Sequence, residues 1–188
     1  MSGERVDLRL DRRAGGAVAF LTIDNRAKLN TLDRALMTDF IGKVETLASR
    51  DDLRALVLRG GGDKAFIGGA SIPEMATLTR DTAREFITLV HRTCDCLRRL
   101  PVPVIAAIDG YALGAGLEVA VSCDLRVATT RAKFGMPETK VGIPSVVEAA
   151  LIPQLIGFGR ARELLMLGEI VDAGTALRWG LVERVVES

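Results

Sequence analysis

The stretch from Val104 to Ala128 constrains the fold more than any other part of the chain. It contains a short apolar run (Val104–Ile108), a glycine-rich turn and a second apolar segment that starts near Leu117. The first pattern is typical of a buried strand, and the second is typical of a buried helix after a tight turn. The second segment nevertheless contains one carboxylate, Glu118. Because a buried carboxylate is costly unless a partner or a reaction uses it, Glu118 is the first candidate functional residue.

The turn before Glu118 is suited to holding a negatively charged oxygen. The first amide groups of a helix have no partner within the helix, and the helix dipole adds partial positive charge there. The amide of Ala115 lies in this turn. The turn therefore predicts a site for a phosphate or a developing oxyanion. The same positive helix end predicts that Glu118 is ionised and able to act as a base.

A second glycine-rich segment, residues 60–69, follows the apolar strand run Ala55–Leu58. Ser71 and Glu74 have the spacing of a capping box, which predicts that a helix begins at Ser71. The amide of Gly68 is then a candidate second donor. Two such donors on one oxygen would form an oxyanion hole, and the spacing leaves open whether they converge.

Three segments together resemble the enoyl-CoA hydratase/isomerase (crotonase) superfamily. They read A-F-I-G-G-A-S-I-P-E-M (65–75), P-V-I-A-A-I-D-G-Y-A-L-G-A-G-L-E-V-A (103–120) and K-F-G-M-P-E-T-K-V-G-I-P (133–144). The resemblance runs from about Val6 to the C-terminus. It implies one α/β domain over residues 1–188, with the crotonase-like (ClpP/crotonase) spiral of ββα units and two roughly perpendicular sheets. Family members usually continue with C-terminal helices that support trimer assembly, so the resemblance implies a core domain without that segment.

The resemblance also implies a reaction. Glu118 and Glu138 stand where hydratases carry two catalytic glutamates, which implies reversible addition of water to a 2-enoyl-CoA thioester. Ionised Glu118 would activate the water and Glu138 would exchange the proton at the α-carbon. Gly68 and Ala115 match the oxyanion-hole positions. Two alternatives stay open: a Δ3-Δ2 enoyl-CoA isomerase, and a non-catalytic acyl-CoA-binding subunit.

Further residues follow from the same resemblance. It implies an acyl-CoA site with eight candidate contacts: Lys28, Leu29, Gly68, Gly69, Ala70, Ser71, Ile72 and Ala115. It implies no cofactor, since coenzyme A is part of the substrate, and assembly as a homotrimer or a dimer of trimers. The segment Ser145–Ala149 replaces a glycine-rich stretch that is common in hydratases. Glu148 is either a third active-site carboxylate or, as Ser145 three residues earlier favours, part of a capping box.

Composition excludes several other classes of protein. The net charge of +1 gives no basic field for nucleic acid, and no apolar stretch is long enough to span a bilayer. The N-terminus lacks the apolar core of a signal peptide, and the three cysteines lack framework spacing, which predicts a reducing cytoplasm and no metal site. His91, with no acid or nucleophile pattern nearby, is expected to be structural.

Periodicity and turn residues predict the remaining elements. They are a hairpin (Val6–Leu10 with Ala17–Ile23), helices over Leu32–Leu47 and Thr82–Leu100, a strand at Leu125–Ala128, an irregular segment from Lys133 to Pro144, a helix opened by Ser145 that Pro153 kinks or breaks, a helix over Gly159–Leu167, a helix over Ala173–Trp179 capped by Asp172, and a last apolar segment, Leu181–Val186.

Overall fold

A computed structural model describes residues 5–187 as two β-sheets with helices packed around them. The strands are β1 (Arg5–Arg13), β2 (Gly16–Asp24), β3 (Leu53–Gly60), β4 (Ala65–Ile67), β5 (Val104–Ile108), β6 (Tyr111–Leu113), β7 (Leu125–Thr129), β8 (Lys133–Gly135), β9 (Ile170–Asp172) and β10 (Arg184–Val186). The α-helices are α1 (Arg34–Ala48), α2 (Ile72–Met75), α3 (Arg80–Arg98), α4 (Ala115–Val121), α5 (Ile152–Leu167) and α6 (Ala173–Trp179). Short 3-10 helices cover Arg26–Lys28, Pro137–Val141 and Val147–Leu151.

Consecutive strands from β3 to β8 alternate between the two sheets. The larger sheet has the order β1-β2-β3-β5-β7-β10, and the smaller has the order β4-β6-β8-β9. The predicted hairpin is confirmed, since β1 and β2 pair antiparallel, and the other neighbours in the larger sheet run parallel. This alternation confirms the predicted α/β class. It also brings the chain past the start of α4 three times, after β4, after β6 and after β8.

The core lies where α1 and α3 pack against each other and against the sheets. The apolar stripe of α1 is buried along Leu36, Met37, Phe40, Ile41, Val44 and Leu47. The stripe of α3 is buried along Phe86, Val90, Thr93, Cys94 and Leu97. Both stripes follow the helical period that predicted these helices, so the two elements are confirmed with ends shifted by one or two residues.

The segments around the prolines and glycines differ in part from expectation. Residues 133–144 contain β8 and a 3-10 helix rather than irregular chain. Pro153 neither kinks nor breaks a helix, because it lies in the first turn of α5, where its missing N–H removes no intrahelical hydrogen bond. The break in α5 is at Gly157, with φ 75° and ψ 158°. The predicted helix from Gly159 to Leu167 forms the rest of α5, and Asp172 caps α6 as predicted.

The capping box at the start of α2 forms only in part. The Ser71 hydroxyl accepts from the Glu74 amide at 3.4 Å, as expected of an N-cap. The Glu74 carboxylate instead accepts from the amide of Arg34 at 3.1 Å and pairs with the Arg34 guanidinium at 3.1 Å. The Ser71 amide donates to Leu32 O. Glu74 thus ties α2 to the start of α1. Between residues 5 and 187, no helix combines the length and apolarity that a membrane crossing requires.

Candidate active site

An apolar pocket opens beside the first turn of α4. Its walls come from α2, α3 and the 3-10 segments after β8, and include Ile72, Met75, Phe86, Val90, Val141, Ile143 and Val146. Five predicted contacts line it: Gly68, Gly69, Ala70, Ile72 and Ala115. Glu118 and Glu138 are the carboxylates in the pocket wall. The structure therefore brings both candidate acids together with both glycine-rich segments.

The remaining predicted contacts lie outside this wall. Ser71 caps α2. Leu29 lies, with Arg26, Asn30 and residues 61–65, along a separate groove. Lys28 belongs to the neighbouring 3-10 turn. The turn at residues 25–30 nevertheless contacts the pocket segment, because Leu29 O accepts from the Gly68 amide.

The first turn of α4 packs directly against the end of β4. Gly114 precedes the helix with φ 51°, and its amide donates to Gly135 O at 2.9 Å. A Cβ at Gly116 would lie 2.1 Å from Ile67 O, so only glycine permits this close approach. Within residues 5–187 the Ala115 amide donates no hydrogen bond, as expected for the first residue of a helix. The contact between Gly116 and Ile67 therefore places the unpaired Ala115 amide next to the segment that follows β4.

Gly68 does not supply the second donor, and that prediction is wrong. Its amide donates to Leu29 O at 2.8 Å. Two further bonds pair the same segment with Leu32, because Leu32 N donates to Gly69 O and Ser71 N donates to Leu32 O, each at 2.8 Å. In such a parallel bridge the intervening residue, Ala70, directs its own N–H away from the partner segment. Ala70, which lines the pocket, therefore has an amide that donates no hydrogen bond among residues 5–187.

Glu138 lies over the start of α4. It is on the 3-10 helix that follows β8, and a Cβ at Gly114 would lie 2.5 Å from Glu138 Oε1. The Ser145 hydroxyl donates to Glu138 Oε2 at 3.1 Å. Burial raises the pKa of Glu138, and its own backbone amide and Ser145 oppose that rise. Gly114 leaves the space that this carboxylate occupies.

Glu118 is buried on the inner side of the pocket, with 4% of its surface exposed. Its Oε1 accepts from the Ala149 amide at 3.1 Å. Burial raises the pKa of Glu118 to about 8; the negative charges of Glu138 and Glu148 add to the rise and the Ala149 amide opposes it. The expectation that the helix end favours an ionised Glu118 is therefore wrong in direction, because desolvation outweighs the dipole of a seven-residue helix and raises the pKa.

The Ser145–Glu148 capping box is also wrong. The Ser145 hydroxyl bonds Glu138, and the 3-10 helix over Val147–Leu151 has no side-chain cap. Glu148 is buried instead, with Oε1 2.8 Å from His91 Nδ1. Sequence reasoning missed this pair. The available signal was an acid inside the apolar run V-V-E-A-A together with a lone histidine beside the apolar stripe of α3.

Residues 5–187 contain no group of three His, Cys, Asp or Glu side chains arranged to hold an ion. Cys94, Cys96 and Cys123 are free, and burial raises the pKa of each thiol, that of Cys96 and of Cys123 to about 12.

The chain is similar to proteins of known family in both sequence and structure. The family model described as enoyl-CoA hydratase/isomerase matches residues 13–188. The short-chain-enoyl-CoA hydratase of Clostridium acetobutylicum is 37% identical over 92% of this chain, and the crotonyl-CoA hydratase of Syntrophomonas wolfei is 36% identical over 90%. This chain spans 66% of the length of each of those curated relatives. The crystal structure of an enoyl-CoA hydratase from Bacillus anthracis superimposes with a TM-score of 0.89 and 34% identity over 96% of this chain and 70% of that one. The likeness confirms the crotonase-like fold.

Proposed function

The chain belongs to the enoyl-CoA hydratase/isomerase family, and on that premise we propose that it adds water reversibly to a 2-enoyl-CoA thioester. One observation carries the proposal. Two carboxylates with raised pKa values, Glu118 and Glu138, meet in one apolar pocket beside two free main-chain amides. Two neighbouring carboxylates whose pKa values are shifted by their surroundings can act as the acid and the base of one reaction.

The free amides of Ala70 and Ala115 are the proposed oxyanion hole. The thioester carbonyl oxygen would accept a hydrogen bond from each, and negative charge develops on that oxygen as water adds to the β-carbon. The flanking wall is apolar, so these donors act in a low local dielectric. In other enzymes the loss of one such donor costs about 10²- to 10³-fold in kcat.

The two carboxylates would act on one water molecule between them. In hydration a water O–H bond breaks, the oxygen bonds the β-carbon, and the α-carbon gains a proton. One carboxylate must accept a proton while the other donates one, so the singly protonated pair is the active form. The raised pKa of Glu118 supports a proton resting on Glu118 in the free protein near pH 7. The reaction needs no cofactor, because the thioester itself acidifies the α-carbon.

The test compares Glu118→Gln and Glu138→Gln with wild type in the hydration of crotonyl-CoA, followed by loss of the conjugated thioester absorbance. Each variant should lose nearly all activity and retain binding of the CoA ester, measured by calorimetry. Glu169→Gln, an exposed carboxylate paired with Lys140, is the matched control. Full activity in either pocket variant would refute the two-carboxylate mechanism. Conversion of a 3-enoyl-CoA without hydration would instead identify an isomerase, and binding without turnover a non-catalytic subunit.

Binding of the nucleotide portion and assembly are part of the same proposal. The turn that holds Lys28 and Leu29 is next to the pocket segment, which supports a role in binding coenzyme A. We infer a homotrimer or a dimer of trimers, to be tested by light scattering. The free thiols of all three cysteines support a reducing compartment such as the cytoplasm.

A further inference from the structure

One short segment, residues 145–149, contacts both pocket carboxylates. At one end the Ser145 hydroxyl donates to Glu138 Oε2 at 3.1 Å. At the other end the Ala149 amide donates to Glu118 Oε1 at 3.1 Å. Small displacements of this segment would therefore change the position and the ionisation of both acids. The contacts that hold residues 145–149 in place therefore affect both proposed catalytic carboxylates.

The backbone of this segment is strained between those two contacts. Val147 has φ 44°, in the left-handed region that β-branched residues rarely adopt. Such a conformation persists only where the surrounding structure over-determines it. The chain therefore needs a strong anchor next to Val147.

Glu148 provides that anchor. Its side chain is 5% exposed, and Oε1 is 2.8 Å from His91 Nδ1 on α3. Its other oxygen, Oε2, is buried and has no hydrogen-bond partner among residues 5–187. The His91 side chain is half exposed and faces a surface groove rather than the pocket. A buried acid with one satisfied oxygen depends on that single partner.

We propose that Glu148 and His91 form a positioning pair, which fixes residues 145–149 so that Ser145 and Ala149 meet the two catalytic carboxylates. The pair touches no substrate, because neither side chain lines the pocket. It acts through the backbone of Ala149 and through the charge that Glu148 places near Glu118. This inference rests on the proposed function.

The charges around the pair come from three directions. Glu118 on α4 and Glu138 after β8 are on the pocket side, and the Cys94 thiol on α3 lies beside Glu148. His91 shares its surface groove with Glu45, Arg92, Asp95 and Arg99. The charge of Glu148 contributes to the raised pKa of Glu118. Replacing Glu148 by the uncharged glutamine, which has nearly the same shape, should therefore lower the pKa of Glu118.

Four variants test the pair. His91→Ala, which leaves Glu148 without its donor, should lower kcat about 10-fold with KM little changed. His91→Asn, which keeps an N–H at the same position, should restore most of kcat. Glu148→Gln should keep most of kcat, because its amide oxygen still accepts from His91, and should move the alkaline limb of kcat/KM to lower pH. Arg92→Ala, an exposed neighbour on the same helix, is the control and should match wild type.

A second readout separates this inference from the proposed function. Carbon NMR of labelled glutamate follows the titration of Glu118 without any turnover, and Glu148→Gln should lower the pKa that it reports. If wild type does not hydrate enoyl-CoA esters, the proposed function fails and this titration still decides the pairing. Folded His91→Ala with wild-type kcat, or folded Glu148→Gln with an unchanged Glu118 titration, would overturn the inference. Should His91→Ala fail to fold, the Glu118 titration in Glu148→Gln decides.

Discussion

The close approach of α4 to β4 leaves no room for a side chain at Gly116. Replacing Gly116 by Ala places a Cβ 2.1 Å from Ile67 O and 2.8 Å from Ile67 C. Main-chain atoms at the end of a strand cannot swing aside as a flexible side chain does. The helix start and the strand end must therefore separate by about 1 Å, and overpacking of this kind costs up to about 3 kcal/mol.

Two assays measure the consequence. For a domain of this size 1 kcal/mol lowers Tm by roughly 2–4 °C, so a cost of about 3 kcal/mol in Gly116→Ala corresponds to a Tm lower by about 6–12 °C. The same displacement moves the Ala115 amide away from the Ala70 amide. Misplacement of a reacting group by about 1 Å costs about 10²-fold, so we expect kcat for crotonyl-CoA hydration to fall by about that factor below Tm.

Gly42 provides the matched control. It lies on the exposed side of α1, where a Cβ would meet nothing within 4 Å. Gly42→Ala should therefore raise stability by up to about 1 kcal/mol through helix propensity and leave kcat unchanged. A folded Gly116→Ala protein with the Tm and kcat of wild type would refute the reasoning, because the two segments would then not be in contact.

Three further predictions follow from charges and contacts. The proposed mechanism needs one proton on the Glu118–Glu138 pair. Since burial raises the pKa of Glu118 to about 8, kcat/KM should decline above about pH 8, and a profile flat to pH 10 would contradict the mechanism. Glu183→Ala leaves buried Arg126 without its carboxylate and should cost about 3–5 kcal/mol in urea unfolding. Its control is Asp95→Ala, which breaks the pair with exposed Arg99 and should cost at most about 1 kcal/mol. Lys28→Ala should raise KM for the CoA ester while kcat stays within about twofold, and an unchanged KM excludes Lys28 from binding.

Much of the fold is predictable from the sequence because its signals are local. The stripes of α1 and α3, the turn between β1 and β2, and the Asp172 cap each depend on residues within one or two turns of chain. Both predicted capping boxes failed at least in part, because each has a partner outside the local pattern. Glu74 pairs with Arg34, 40 residues away. Ser145 bonds Glu138, which lies seven residues earlier on the preceding 3-10 helix.

The charge state of Glu118 could not be predicted from its place on a helix. Burial is a property of the assembled core, and here it exceeds the effect of the helix end. The consequence for stability can be measured. From pH 4.5 to about 8 the unfolded chain loses the Glu118 proton while the folded chain keeps it, so stability falls as pH rises through that window. The rise in pKa from 4.5 to about 8 corresponds to roughly 5 kcal/mol, so Glu118→Gln should be more stable than wild type at pH 9.

The donor on the segment after β4 shows a second limit of sequence reasoning. Along an extended chain the direction of each N–H is set by which neighbours are paired, and a short shift in position changes it. Gly68 and Ala70 are equally plausible as donors until the pairing with residues 29–32 is known. That pairing occupies Gly68 and leaves Ala70 free, because Gly69 O and Ser71 N both bond Leu32. The proposed oxyanion hole therefore depends on Leu32 as much as on the glycines. A change that shifts the register of residues 29–32 should abolish activity without altering any residue that lines the pocket.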